Sequence, residues 1–210
     1  MDTNQLIAQL SSEAPTKKPM ASPWRRAAKW LVGLAVYGLL LFGLIDPRPD
    51  FAQRLQTIPF LLELVLLLAI IITSTLSAAT LSFPDHYQKP SLARLPGVFF
   101  VLFIALMGYQ WLTAPVIPSL AMVECMCTLF ITIYAFLPAV WLFFMMRDAT
   151  TTQPAFAGSV VVLSAFSLGA VLLRVSEPND SIMHFIVFHY LPMLAAAYVG
   201  VVLGRKLLRW

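Results

Sequence analysis

The chain has 210 residues, 60% of them apolar and only 11% charged. A soluble domain is about half apolar and about a quarter charged, so the composition argues against a water-soluble globule and for the membrane class. The formal charge of +4 does not mark a nucleic-acid binder, because eleven of the fourteen Lys and Arg fall in four short segments between or beyond the apolar runs.

Residues 1–23 are polar and end in Pro-rich basic sequence. Within them Leu6, Ile7, Leu10 and Ala14 recur at helical spacing. Thr3 or Asn4 can cap the start, and Pro15 ends the pattern. A helix of about eleven residues is marginal alone in water. It forms mainly when its apolar stripe meets a protein partner or a membrane surface. A disordered tail or an interfacial helix is the plainer reading of the same residues.

Six apolar runs follow, at 30–45, 59–83, 97–113, 121–146, 155–173 and 182–203. A hydrocarbon core about 30 Å thick takes about 20 residues of helix, so the first and third runs are short for a span. Prolines mark most boundaries: Pro47, Pro49, Pro59, Pro84, Pro96, Pro115, Pro118, Pro154 and Pro178. The first run follows a basic stretch but leads into Asp46-Pro-Arg-Pro with no small-residue cleavage site, so it reads as a retained span. The expected fold class is all-α, a six-transmembrane-helix bundle with a short cytoplasmic N-terminal amphipathic helix.

Orientation follows from the basic residues. Lys17, Lys18, Arg25, Arg26, Lys29, Lys89, Arg94, Arg147, Arg205, Lys206 and Arg209 fall on one side, and Arg48, Arg54 and Arg174 on the other. The richer side is cytoplasmic, so both termini are expected in the cytoplasm of a bacterial inner-membrane protein. Residues 46–58, 114–120 and 174–181 then face the periplasm. Trp24, Trp30, Trp111, Trp141 and Trp210 lie near predicted boundaries, as an aromatic belt does.

Few residues in the spans carry chemistry. Glu63 and Glu124 are predicted within the first turn or so of helices that begin on the periplasmic side. The simplest reading makes them headgroup-level carboxylates favoured by helix N-termini. Cys125 and Cys127 are too few for a disulfide framework. At i, i+2 on a helix they point about 200° apart, and membrane cysteines often serve as small apolar residues. His184 falls near the same end, with His189 about 7.5 Å deeper at the helical rise. Topology brings Glu63, Glu124, Cys125, Cys127, Glu177, Asp180 and His184 to one side of the membrane. A metal or redox signal can be felt there; coincidence among helix ends is the competing reading.

Ala196, Gly200 and Gly204 form a small-xxx-small stripe on the last span, and Ala165 with Gly169 another on the fifth. Intramolecular packing is the default use of such stripes, and a homodimer is a possible one. No Gly-rich phosphate loop, HExxH, GxSxG or acidic metal cluster is present, so no enzyme and no cofactor are expected. Pro138 and Pro192 interrupt two spans, a weak pointer to transport without a supporting internal repeat.

The layout and several phrases resemble the NrsF-type integral membrane anti-sigma factors. The phrases are Leu6-Ile7-x-x-Leu10 before Ala14-Pro15, Asp46-Pro-Arg-Pro-Asp50, and Pro59-Phe60-Leu61-Leu62-Glu63-Leu64. Cys near the start of the fourth span, Pro138 within it, and Pro154-x-x-Ala157-Gly158 follow. The chain closes on Gly204-Arg205-Lys206-Leu207-Leu208-Arg209-Trp210. The resemblance implies a cytoplasmic segment, residues 1–28, that binds an extracytoplasmic-function sigma factor through Leu6, Ile7 and Leu10. It implies a membrane sensor, residues 29–210, that releases the factor under redox or metal stress. Family members commonly carry a second Cys before the sixth span, where this chain has Glu177, so that thiol pair is unavailable. The expected partners are the sigma factor and the bilayer, with no direct contact to nucleic acid. A small multi-pass transporter or transporter subunit is the alternative.

Overall fold

The computed structural model describes residues 2–13, 21–84, 90–113, 125–148 and 151–208, without the side chains of Leu10, Glu13 and Cys125. Predicted site residue Glu124 therefore lies outside the described residues. Among those described, the chain is helical with no strand. Its elements are α1 (Thr3–Glu13), α2 (Pro23–Phe42), α3 (Phe51–Arg54), α4 (Ile58–Leu81) and α5 (Pro90–Thr113), then α6 (Cys125–Arg147) and α7 (Pro154–Ser176). The last, α8 (Ile182–Leu207), contains a π-helical segment at Phe185–Tyr190.

Five of these, α4 to α8, are long and apolar enough to cross a membrane, which is compatible with a multi-pass membrane protein. The predicted first span, α2, is not among them. Its opening turns carry Arg25, Arg26 and Lys29, which leaves only residues 30–42 as apolar helix. Ser22 accepts from the Arg25 N–H and Pro23 occupies the first turn, so the helix starts upstream of the predicted boundary. Pro96, expected at a boundary, lies inside α5, which begins at Pro90.

The most buried helix is α7, held between α4, α6 and α8, with α5 packed on α4 and α2 on α4 and α7. Small residues make this possible. A Cβ on Gly158 would lie 2.2 Å from the Gly200 carbonyl oxygen, and one on Gly204 would lie 2.1 Å from that of Pro154. One on Gly169 would lie 2.7 Å from the Ile131 carbonyl oxygen. Both predicted stripes are thus spent inside the chain, α8 against α7 and α7 against α6, where backbones approach closely. Polar links add to this contact. Thr75 and Ser164 hydroxyls meet at 2.9 Å between α4 and α7, and Tyr37 donates to the Tyr134 carbonyl at 2.9 Å between α2 and α6.

The π-helical segment has a local cause. Pro192 has no N–H to give the Phe188 carbonyl four residues back, and its ring crowds that oxygen. The Leu191 N–H bonds instead to Ile186 five residues back, and Thr128 of α6 donates to the Phe188 carbonyl at 2.7 Å. The widened turn brings residues five apart onto one face.

Candidate functional site

Among the described residues, one end of the bundle gathers the buried charged and imidazole side chains. Arg48, on the link between α2 and α3, is 3% exposed. Its guanidinium donates to both oxygens of Asp50 and of Asp180 at 2.6–3.0 Å, and to the Glu177 and Pro178 carbonyls. Its backbone N–H donates to the Val175 carbonyl at 2.9 Å. Arg54 joins from α3, pairing with Asp50 at 3.0 Å and Asp180 at 2.5 Å. This network ties the segment before α4 onto the link between α7 and α8.

The charges tune one another. Hydrogen bonds from Arg48, then Arg54, hold the Asp50 carboxyl well below the usual carboxylate range. Burial alone would raise Asp180, but the hydrogen bond from Arg48 and the fields of Arg174, Arg48 and Arg54 bring it below its ordinary value. Hydrogen bonds to Asp180 and Asp50 push the Arg48 guanidinium above its usual value. Charge-assisted bonds of this kind favour both ionised partners.

Glu63 is turned into the protein rather than exposed at its helix end. It is 1% exposed, accepts from Arg174 at 3.0 Å and also accepts from the Tyr190 hydroxyl. The reason is the length of α7, which continues to Ser176 and so puts Arg174 in its last turn, opposite Glu63. Arg174 lies between the rings of Phe60 and Phe185, at 4.5 and 4.1 Å, and also reaches Asp180 at 3.1 Å. Its Nη1 is buried with no hydrogen-bond partner.

Beside this network lies a second cluster. Cys127, on the first turn of α6, is buried, and its thiol donates to Glu177 Oε2 at 3.6 Å. The position that the resemblance gives to a second thiol is therefore next to Cys127. His184 and His189, both buried, face each other across the π-helical turn with Nε2 atoms 3.2 Å apart. Ligand atoms of Cys127, His184 and His189 all lie within 4.8 Å of one another. The structure brings Cys127 and His184 together, places Glu63 in the neighbouring ion pair, and adds His189, which sequence reasoning set about 7.5 Å deeper. The signal that identifies His189 is Pro192, which opens the turn below it.

Of the predicted sigma-binding residues, Leu6 and Ile7 are exposed on α1, at 42% and 59%. The side chain of Leu10 lies outside the described residues.

Among the described residues the chain is helical, and its five spanning-length helices are compatible with a multi-pass membrane protein. The particular family is shown by comparison. The family described as NrsF, negative regulator of sigma F, matches residues 10–210, so the chain belongs to it. No curated protein and no solved structure matches the chain. Leu10 opens the matched region, and Leu6 and Ile7 precede it.

Proposed function

We propose that this protein is a membrane-bound anti-sigma factor of the bacterial inner membrane. Residues 1–28 hold an extracytoplasmic-function sigma factor in the cytoplasm, and residues 29–210 form a six-span sensor with α2 as the additional span. The termini are cytoplasmic, and the Arg48 network and Cys127 cluster face the periplasm. Envelope stress, redox or metal in kind, acts at that end and releases the factor. The protein works by binding and catalyses no reaction.

The observation that carries this reading is membership of the negative-regulator family. It is supported by an N-terminal helix whose Leu6 and Ile7 are left exposed. Exposed leucine and isoleucine on a short helix suit a groove on a protein partner, where apolar anchors at helical spacing supply the contact.

The test is capture of the sigma factor by full-length protein in membranes, compared with Leu6→Asp and Leu10→Asp variants. One extracytoplasmic-function sigma factor should bind wild type and be lost from both variants at equal expression. Equal capture by the variants would remove α1 as the contact. Absence of any captured sigma factor would remove the reading.

A further inference from the structure

We propose that Cys127, His184 and His189, with Glu177 as fourth ligand, form a site for one thiophilic divalent d-block cation of the zinc class. Its use as a release signal rests on the anti-sigma reading; the site itself does not.

The distances suit one small ion. With metal–nitrogen bonds of about 2.0–2.1 Å, two imidazole ligands of a tetrahedral ion lie about 3.3–3.4 Å apart. His184 Nε2 and His189 Nε2 are 3.2 Å apart. With metal–sulfur and metal–oxygen bonds of about 2.3 and 2.0–2.2 Å, thiolate and carboxylate ligands lie about 3.5 Å apart. Cys127 Sγ and Glu177 Oε2 are 3.6 Å apart. The two pairs are neighbours, since the thiol and both imidazoles already fall within 4.8 Å of one another. Closing them around one ion takes about 1 Å of side-chain movement from that separation.

Chemistry narrows the occupant. A thiol, two imidazoles and one carboxylate do not suit magnesium or calcium, which take oxygen ligands. They suit zinc and its thiophilic neighbours. Charge also balances. The cation binds with loss of one proton from the Cys127 thiol, which is released to solvent, and the thiolate and Glu177 carboxylate cancel the two positive charges. The adjacent Arg174 cation is already paired with Glu63 and Asp180.

The site also accounts for the packing of two buried imidazoles against each other. His189 is fully buried, and its Nε2 lies 3.2 Å from that of His184. Two imidazoles buried against each other share one hydrogen bond, whereas each can give a ligand nitrogen to an ion. The π-helical turn makes this geometry, and such turns occur often at functional sites.

The test uses full-length protein carrying Cys125→Ser, purified metal-free in detergent, so that Cys127 is its only thiol. Titration with cobalt(II) should load one ion per chain. It should give a thiolate-to-cobalt charge-transfer band and the intense visible bands of a four-coordinate ion, and zinc should displace them. Cys127→Ser should abolish the charge-transfer band. His184→Asn or His189→Asn should weaken binding by at least about 100-fold, and Glu177→Gln by about 10-fold. As a check needing no ligand variant, one equivalent of zinc should slow alkylation of Cys127 by at least about 10-fold. Folded protein that takes up no cobalt, uptake indifferent to Cys127→Ser and both His variants, or alkylation unchanged by zinc would each overturn the site. Sigma capture run in parallel separates the two claims, since metal uptake without capture leaves the site standing and removes the anti-sigma reading.

Discussion

Arg174→Met separates the two roles of the most deeply buried ion pair. The substitution keeps apolar length between Phe60 and Phe185 and removes the guanidinium. Glu63, 1% exposed, then retains only the Tyr190 hydroxyl, since Arg174 supplied its ion pair. Removing one partner of a buried pair costs about 3–5 kcal/mol, because the other charge is left uncompensated. The reverse change, Glu63→Gln, is milder. Arg174 keeps Asp180 at 3.1 Å, and the amide oxygen still accepts from Tyr190. About 1–2 kcal/mol is expected, as for weakening one buried hydrogen bond. The double variant should cost less than the two single costs added, by about 1 kcal/mol or more, because the stranded carboxylate is gone. Reversible unfolding in mixed micelles, followed by tryptophan fluorescence, measures all three. Equal cost for both single variants, or simple additivity, would refute the account of Glu63 as a charge held by Arg174.

Four further outcomes follow from the same geometry. Asp50 and Asp180 are held below their ordinary carboxylate range, so their contribution is fully present above the unfolded value of about 3.9 and is lost as pH falls below it. Protease resistance of the 43–57 segment should therefore hold from pH 7 to about 4.5 and fall below about 4, with Asp180→Asn flattening the profile. Gly204→Val drives a side chain into the Pro154 carbonyl, whose oxygen a Cβ there would approach to 2.1 Å, and should destabilise by about 1–3 kcal/mol. Gly97→Ala, with nothing within 4 Å of its Cβ, should be neutral or stabilising by up to about 1 kcal/mol in the same unfolding assay. Pro192→Ala restores an N–H for the Phe188 carbonyl and should close the π-helical turn; cobalt affinity should fall by at least about 10-fold while helicity by circular dichroism stays constant.

Much of the helical framework is legible because membrane helices announce themselves by apolar length and proline punctuation. Residues 155–173 and 182–203 lie within α7 and α8. What is less legible is the last turn of a helix, and here it matters most. The apolar run of α7 stops at Leu173, so Arg174 reads as loop, yet the helix runs on to Ser176 and delivers the guanidinium to Glu63. Apolar periodicity cannot register a charged last turn that is stabilised by a partner from another helix. His189 was hidden for a different reason, since spacing arguments assume 3.6 residues per turn and Pro192 locally sets another number. The small-residue stripes were legible as close-packing surfaces but silent about partners; only the fold shows that Gly158 receives Gly200 and Gly204.

The distribution of basic residues then gains a physical meaning that a count alone lacks. The three arginines assigned to the periplasmic side, Arg48, Arg54 and Arg174, all pair with carboxylates of that same end, Asp50, Asp180 and Glu63. Each positive charge there is matched, and the further carboxylates Asp46 and Glu177 leave the end net negative, cross-linked between the segment before α4, α4 itself, α7 and the link after α7. A region held by that many charge-assisted bonds yields little to a modest perturbation of any one of them. The Cys127 cluster is held differently, with a long thiol–carboxylate contact and an imidazole pair among its interactions. It touches the network through Glu177, whose carbonyl accepts from Arg48 while its carboxylate accepts from Cys127, and through the Phe185 ring, which meets both imidazoles and Arg174. A ligand that repositions the Glu177 carboxylate therefore acts on the Arg48 clamp through one residue, without first breaking an ion pair. Sensitivity belongs at that joint, and Glu177→Gln should blunt signal-dependent release of the sigma factor while leaving its capture intact.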